Sequence, residues 1–286
     1  MKQTELITNN DGSIFHLRLK PEHISDRIII VGDPGRVGLV SSLFDSTEVK
    51  ITNREFHTVT GTYKGKRITV ISSGIGTDNI DILINELDAV VNFDLVLKTP
   101  LGDRTSLTLI RLGTSGGLQK EIEAGSFLIS EKAIGFDGVM NFYKDIGLIT
   151  DLDFENALKL HTGWPERLST PYVVDPDPAL LEKFSSLGLA TGITVSAPGF
   201  YAPQGRYLSL EPFDIKINDK LESFRYNGRK ITNYEMESSA IYGLSGLLGH
   251  KALTICAIIG NRVTGRFVSD YHGLMEDLSM IILDHI

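Results

Sequence analysis

Six short runs rich in β-branched residues alternate along this chain with stretches of helical spacing. From their period and composition we predict strands at 27–31, 66–73, 106–113, 126–134, 190–197 and 252–260. Several of these runs are apolar on both faces, as expected of strands in a sheet that is covered on both sides. The alternation therefore predicts an α/β protein with a three-layer α/β/α architecture, in which helices flank a central sheet.

The clearest predicted helix lies at 78–92, between the second and third predicted strands. Its apolar residues recur on one helical face, and they are Ile80, Leu83, Ile84, Leu87 and Val91. Further helices are predicted at 237–248 and 270–286. The segment 92–106 is longer and more polar than a usual helix-to-strand connection, so we expect a surface excursion or a hairpin there.

The composition excludes several classes of protein. A net charge of −8 over 286 residues argues against a nucleic-acid partner, which usually requires a basic face. No apolar run approaches the roughly 20 residues of a membrane span, and the polar N-terminus shows no secretory signal. The lone cysteine, Cys256, cannot pair within the chain, which favours a reducing compartment. We therefore expect a cytoplasmic protein that binds neither nucleic acid nor membrane.

Three glycine-rich turns follow predicted strands, namely "GDPGR" at 32–36, "SSGIGTDN" at 72–79 and "RLGTSGG" at 111–117. In an open α/β sheet ligands bind at the carboxyl ends of the strands, where backbone N–H groups can face an anion. Taken singly, each turn is equally well explained by the conformational needs of a turn. None of them matches the dinucleotide fingerprint or the P-loop.

Arginines accompany these turns. Arg36 ends the first and Arg111 begins the third, while Arg54 lies in "NREF". Arginine suits phosphate because its planar guanidinium donates two parallel charge-assisted hydrogen bonds. A single arginine is more often a surface charge, so the three together carry the hypothesis of an oxyanion site.

Three later segments carry further polar groups. "PGFYAPQGRY" contains Phe200, Gln204 and Arg206, and a glutamine amide suits an imide edge because it has both acceptor and donors. "NYEMESSAIYGL" contains Glu235 and Glu237, which are consistent either with a helix N-cap or with an acceptor for sugar hydroxyls. "GNRVTGR" follows the last predicted strand, where ligand-facing residues commonly lie.

The seven histidines are scattered and lack the spacing of a zinc site, so we expect no metal. No GxSxG segment is present, and Cys256 lies in the middle of a predicted strand, which disfavours a protein nucleophile. We expect no cofactor either.

Together these segments resemble the nucleoside phosphorylase family, and within it the uridine phosphorylases. The resemblance follows the chain in order through eight segments, namely "FHLRL", "VGDPGRV", "NREF", "SSGIG", "RLGTSGGL", "FYAPQGRY", "NYEMES" and "NR". It implies a single domain over 1–286 with a mixed, mostly parallel sheet. It also implies that uridine and inorganic phosphate are converted to uracil and ribose 1-phosphate in nucleoside salvage, by a homo-oligomer built from dimers that share active sites.

The same resemblance implies a role for each site residue. Inorganic phosphate, the co-substrate, is bound by Gly32, Arg36, Arg54, Arg111 and Thr114. The ribose is bound by His16, Thr114, Met236 and Glu237, with His16 and Arg54 supplied by a neighbouring subunit. The base is bound by Phe200, Gln204, Arg206 and Arg262. Among these we expect Arg111, Glu237, Gln204 and Arg206 to be catalytic.

Pyrimidine is favoured over purine, because the purine branch has an aspartate after the last strand where this chain reads "GNRVTG". The alternatives are a nucleosidase of the same fold, a purine nucleoside phosphorylase, and a nucleoside-binding protein without activity. "GIGTDNID" departs from the small residues usual in the family, which leaves open the dimer contact and a monovalent cation near Glu55.

Overall fold

The structure, a computed structural model, describes residues 2 and 4–286. Within them the strands are Arg27–Val31 (β1), Ser46–Asn53 (β2), Phe56–Tyr63 (β3), Lys66–Ser72 (β4), Phe93–Asp94 (β5), Thr99–Pro100 (β6), Thr108–Gly117 (β7), Phe127–Gly135 (β8), Tyr172–Val174 (β9), Ala190–Ser196 (β10), Arg225–Tyr226 (β11), Arg229–Glu235 (β12) and Lys251–Asn261 (β13). The α-helices are Pro34–Ser41 (α1), Thr77–Asn92 (α2), Leu152–Thr162 (α3), Pro178–Ser185 (α4), Ile217–Ser223 (α5), Ser238–Leu248 (α6) and His272–His285 (α7).

One mixed sheet forms the centre of the protein. Its strands run in the order β11-β12-β10-β8-β13-β7-β1-β4-β3-β2, with β9 beside β8. The central pairings β4–β1, β1–β7, β7–β13, β8–β10 and β10–β12 are parallel. The antiparallel pairings include β2–β3 and β3–β4 at one edge and β8–β13 nearer the centre. The predicted α/β fold is confirmed.

Alternate residues of β1 show why the sheet is covered on both faces. Ile28 and Ile30 belong to one buried cluster, which holds the apolar face of α2 and much of α6. Ile29 and Val31 belong to another, which holds apolar residues of α1, α4 and α7. Because successive side chains of a strand point to opposite faces, β1 separates two layers of helices.

One strand pairing closes part of the sheet into a ring. β12 is parallel to β10 on one side, and at its end Asn233 and Tyr234 also pair antiparallel with Gly117 and Gly116 of β7. Strands β7, β13, β8, β10 and β12 therefore form a closed circuit. Gly117 is closely packed, since a Cβ there would lie 3.0 Å from the Asn261 amide nitrogen and 3.1 Å from the Ile122 carbonyl oxygen. The closure, which sequence periodicity did not predict, brings the end of β12 against β7.

The segment 92–106 contains a short hairpin formed by β5 and β6. Asn92 joins its two ends, since its amide donates to the Thr105 carbonyl at 3.1 Å and accepts from the Thr105 N–H at 2.7 Å. Val96 and Leu97 at the tip are exposed. Among the described residues, no helix combines the length and the apolarity that crossing a bilayer requires.

Candidate active site

The carboxyl ends of β1, β4 and β7 open into a cavity of about 840 Å³. The "GDPGR" segment begins α1 here: Asp33 is the N-cap and accepts the Gly35 N–H at 2.8 Å, with Pro34 at the first helical position. This segment therefore serves as a helix start and also lines the cavity. "RLGTSGG", predicted as a turn, is instead part of β7, because its end pairs with both β12 and β13.

The conformation and packing of Gly74 show why the second turn requires a glycine. Its φ of +73° is a conformation that favours glycine, and a Cβ there would lie 2.5 Å from the Asn79 amide nitrogen and 3.1 Å from Glu55 Cγ. Its N–H donates to the Gly32 carbonyl at 3.0 Å, which joins the first and second turns.

Arg111 lines the cavity and is only 4% exposed. One of its terminal nitrogens donates to Glu237 and the other lies 3.3 Å from Glu235 and 3.5 Å from Cys256 Sγ. Burial lowers the pKa of Arg111, but the two carboxylates raise it by more, so the guanidinium stays charged. Its Nε has no partner among the described residues. Arg36 and Thr114, 3.5 Å apart, line the same cavity, so three residues that can donate to an oxyanion share it.

The two glutamates differ in role. Glu235, not Glu237, caps α6: one of its oxygens accepts the N–H groups of Glu237 and Ser238, both at 2.9 Å. Glu237 makes no side-chain cap bond; it accepts from Gly76 N–H at 2.8 Å and from Arg111. Burial raises the pKa of Glu237, and Arg111 opposes that rise. Glu237 and Met236 both line the cavity.

The "PGFYAPQGRY" segment contributes a second group of polar residues to the cavity lining, the Gln204 group. Gln204, 3% exposed, accepts with Oε1 from Arg206 at 2.5 Å and from Arg262 at 2.9 Å. The Arg206 guanidinium stacks 3.8 Å from the Phe200 ring centroid. Burial lowers the pKa of Arg262 to about 10, and the nearby Arg206 charge adds to that effect. Because two arginines donate to Oε1, the Gln204 amide offers its N–H donors to a ligand. This group of lining residues is therefore rich in donors.

Two predicted site residues lie outside the cavity lining. The His16 ring nitrogen lies 2.6 Å from Glu86, and Arg54 is exposed at the turn between β2 and β3, with a φ of +53°. Asn53 donates to the His16 carbonyl at 2.7 Å, so the two segments form one surface patch. Every other predicted site residue lines the cavity, and these are Gly32, Arg36, Arg111, Thr114, Phe200, Gln204, Arg206, Met236, Glu237 and Arg262.

The cavity also contains residues that were not assigned from the sequence. Tyr234, Glu235, Arg266 and Phe267 line it. Glu235 was visible in the sequence beside Glu237, but no local signal distinguished Tyr234 or the segment after Arg262. Glu55 lines the cavity too; among the described residues, no three His, Cys, Asp or Glu side chains group closely enough to hold a metal ion.

Comparisons with known proteins place this geometry in context. A family model described as the phosphorylase superfamily matches residues 26–278. A uridine phosphorylase of Thermococcus kodakarensis is 32% identical over 259 residues, which cover 90% of this chain and 80% of that protein. A uridine phosphorylase of Escherichia coli is 28% identical, over 88% of this chain and 87% of that protein. The crystal structure of Trypanosoma brucei nucleoside phosphorylase, described as showing uridine phosphorylase activity, superposes with a TM-score of 0.87 at 28% identity over 97% of each chain.

Proposed function

We propose that this chain, which belongs to the phosphorylase superfamily, is a pentosyltransferase that cleaves uridine with inorganic phosphate to give uracil and ribose 1-phosphate. The observation that carries the proposal is that one cavity is lined by all of these groups. In the arrangement that we propose, Arg36, Arg111 and Thr114 bind phosphate, Glu237 binds the ribose and the Gln204 group binds the base. A nucleoside and an oxyanion can then be held in line for transfer of the sugar.

The phosphate end supplies position and charge. Inorganic phosphate is already an anion, so it needs no base to deprotonate it before it attacks the sugar carbon. It needs to be held against the reacting face, and arginines do this through charge-assisted hydrogen bonds. The unpartnered Nε of Arg111 supports this role, because its other donors are held by Glu235, Glu237 and Cys256. Arg36 and the Gly32 backbone complete the phosphate site in this proposal.

In this arrangement the sugar lies between the phosphate and the base. As the glycosidic bond breaks, the ribosyl group acquires the character of a cation. Glu237 is the nearest carboxylate in the cavity to Arg111 and is held in place by it and by Gly76 N–H. A carboxylate that is held in place accepts hydrogen bonds from the ribose hydroxyls. Its negative charge also favours positive charge on the sugar ring. Met236 contributes the apolar surface beneath the sugar.

The base end stabilises the leaving group. Departing uracil acquires negative charge on its two carbonyls, so donors that face that charge act on the transition state more than on the substrate. The donors available are the Gln204 amide N–H groups and the guanidinium of Arg206, which Phe200 stacks against. Arg262 follows β13 at the position where an aspartate would serve a purine, and Asp270 is not among the residues that line the cavity. This supports a pyrimidine.

We further infer that the protein acts as a homo-oligomer of dimers, in which His16 and Arg54 complete the site of a neighbouring subunit. Both lie outside the cavity of their own chain, and the Asn53–His16 hydrogen bond holds them in one patch. No cofactor beyond inorganic phosphate is required by this chemistry. Cytoplasmic nucleoside salvage remains the proposed setting, on the argument from the single cysteine.

Uracil release from uridine with and without phosphate tests the activity. We expect release that requires phosphate and yields ribose 1-phosphate, with uridine preferred to inosine. Release that is independent of phosphate would indicate a nucleosidase, because water would then be the acceptor. Faster cleavage of inosine would indicate a purine nucleoside phosphorylase. Binding of uridine without turnover under either condition would indicate a nucleoside-binding protein.

A further inference from the structure

Three tyrosines belong to the largest fully buried side chains of the described chain, and one of them differs from the others. Tyr172 donates to Asp137 and Ser239 within 3.0 Å, and Tyr242 donates to the Ser130 carbonyl and accepts the Thr254 N–H, both at 2.8 Å. Tyr234 is 2% exposed, yet its hydroxyl oxygen has no hydrogen-bond partner among the described residues. A buried hydroxyl without a partner destabilises a fold, so its retention calls for another role.

The location of Tyr234 suggests that role. It is the residue before Glu235 at the end of β12, and the β7–β12 pairing places it opposite Gly116 in the cavity wall. The Arg262 guanidinium lies 4.9 Å from the centre of its ring, and the charges of Arg262 and Arg206 both act on the phenol. Tyr234 therefore lies beside the two arginines of the base end.

The neighbours leave the phenolic proton without an acceptor. Both arginines are donors only. The acceptor closest to them, Gln204 Oε1, already receives hydrogen bonds from Arg206 and Arg262. Burial raises the pKa of Tyr234 by more than the two cations lower it, so the hydroxyl keeps its proton at neutral pH. Because the neighbouring arginines are donors only and the hydroxyl has no partner among the described residues, its hydrogen is available to a ligand that offers an acceptor.

We propose that the Tyr234 hydroxyl is a specificity-determining donor of the base end, which hydrogen-bonds one carbonyl oxygen of the pyrimidine ring. The proposal rests on the pyrimidine nucleoside activity proposed above. The ring carbonyls are the acceptors that gain charge as the base leaves, so the contact strengthens in the transition state. A site built around such a donor discriminates against a base that lacks the acceptor.

The Tyr234→Phe variant tests the proposal, because it removes only the hydroxyl. We expect kcat/KM for uridine to fall about tenfold while KM for phosphate stays unchanged, as for one lost hydrogen bond to a group that becomes charged. The melting temperature should stay the same or rise, since the lost hydroxyl had no partner in the protein. The matched control is Tyr242→Phe, which removes a partnered hydroxyl away from the cavity. It should lower the melting temperature by about 2–4 °C and leave the kinetics unchanged.

Substrates with sulfur in place of one carbonyl oxygen identify the acceptor, since sulfur is a weaker acceptor. Relative to uridine, the wild-type protein should be less active on 2-thiouridine or on 4-thiouridine. For the analogue whose sulfur replaces the oxygen that the hydroxyl contacts, this loss should be smaller in Tyr234→Phe. Equal losses in both proteins for both analogues, or wild-type uridine kinetics in Tyr234→Phe, would overturn the proposal while the uridine phosphorylase activity stands. If wild type itself releases no uracil from uridine and phosphate, both proposals fail.

Discussion

At the scale of single residues, the buried cluster around Arg111 shows how charge is distributed in the cavity. One guanidinium contacts two carboxylates that are each at most 5% exposed. With all three ionised the cluster carries a net negative charge, which is costly where the dielectric constant is low. The rise in the pKa of Glu237, caused by burial and by Glu235, reflects that cost. Since Glu235 caps α6, the two carboxylates have separable roles.

Glu237→Gln is therefore expected to lower turnover more than stability. The change leaves the α6 cap in place and removes one of two competing carboxylates, so the melting temperature should move little. The hydrogen bonds to ribose lose a charged acceptor, so kcat/KM for uridine should fall by about tenfold or more, as for the loss of about 1.5–3 kcal/mol.

The control for this variant is Glu235→Gln, which replaces an oxygen that accepts two N–H groups of the α6 N-terminus. Loss of a cap costs about 0.5–2 kcal/mol of stability, so thermal unfolding should show a clear decrease. Steady-state kinetics and melting curves on both variants separate the roles. A Glu237→Gln protein with full activity would contradict the assignment to ribose.

At the scale of elements, Asp88 joins α2 to the loop before β13 and to the excursion. The amide of Asn92 donates to it at 2.7 Å, Arg104 at 2.9 Å, and the His250 Nε2 lies 3.2 Å away. Burial raises the pKa of Asp88, but these neighbours outweigh it and the net pKa is below its ordinary value. A carboxyl whose folded pKa is depressed stabilises the fold above its unfolded pKa of about 3.9 and loses that contribution as the pH falls through the folded value.

Asp88→Asn should accordingly destabilise the protein by about 1–3 kcal/mol at neutral pH, because the negative charge that attracts Arg104 and the other groups around Oδ1 is lost. The difference from wild type should begin to shrink below about pH 4 and should vanish as the pH falls through the lower folded pKa, where the wild-type carboxyl becomes protonated. Melting temperatures measured from pH 3 to 7 test this. The exposed Asp103→Asn serves as the control and should change little at any pH. A constant difference across that range would show that the charge of Asp88 is not the cause.

At the scale of the whole molecule, the surface position of His16 and Arg54 is the feature that a single chain does not explain. The two lie together but outside the cavity that holds the other site residues. In a two-fold dimer each patch can face the cavity of the other subunit, because an isologous interface is reciprocal. Each active site would then take Arg54 from one chain and Arg36 from the other.

Mixed dimers of Arg54→Ala and Arg36→Ala test this arrangement. Each variant alone should retain less than about a tenth of wild-type activity, since each lacks a charged phosphate ligand. In a mixed dimer one site lacks both arginines and the other has both. Random pairing makes about half the dimers mixed, so roughly a quarter of wild-type activity should return. Arg36 is preferred to Arg111 here, because removing Arg111 leaves two buried carboxylates without a cation.

Near-zero recovery, with mixed dimers verified by two affinity tags, would mean that both arginines act within one chain or that Arg54 is only a surface charge. Recovery that depends on mixing, and disappears when each variant is assayed alone, would support the shared site.

Local sequence patterns were sufficient to predict many of the secondary-structure elements of this protein. All six predicted strands and the helix at 78–92 appear in the structure near the predicted bounds, because hydrophobic period and turn glycines act within a few residues. No element was predicted within 136–188, which contains α3, β9 and α4; these elements are only 11, 3 and 8 residues long. The occurrence of eight motifs in the same order along the chain was enough to indicate the family. A motif is recognised from residue types and their spacing in the sequence, so it can be identified without knowing the fold.

What the sequence determined by itself was therefore the set of elements, the family and the residue types of the candidate site. Only the tertiary structure decided that β12 pairs with β7, that Glu235 rather than Glu237 caps α6, and that two arginines share the oxygen of Gln204. The first joins residues more than 100 positions apart, the last brings Arg262 to Gln204 across 58 positions, and the cap depends on how β12 enters α6. Such contacts follow from how whole strands pack, and no local period encodes them. For the same reason the unpartnered hydroxyl of Tyr234 was visible only in the folded chain.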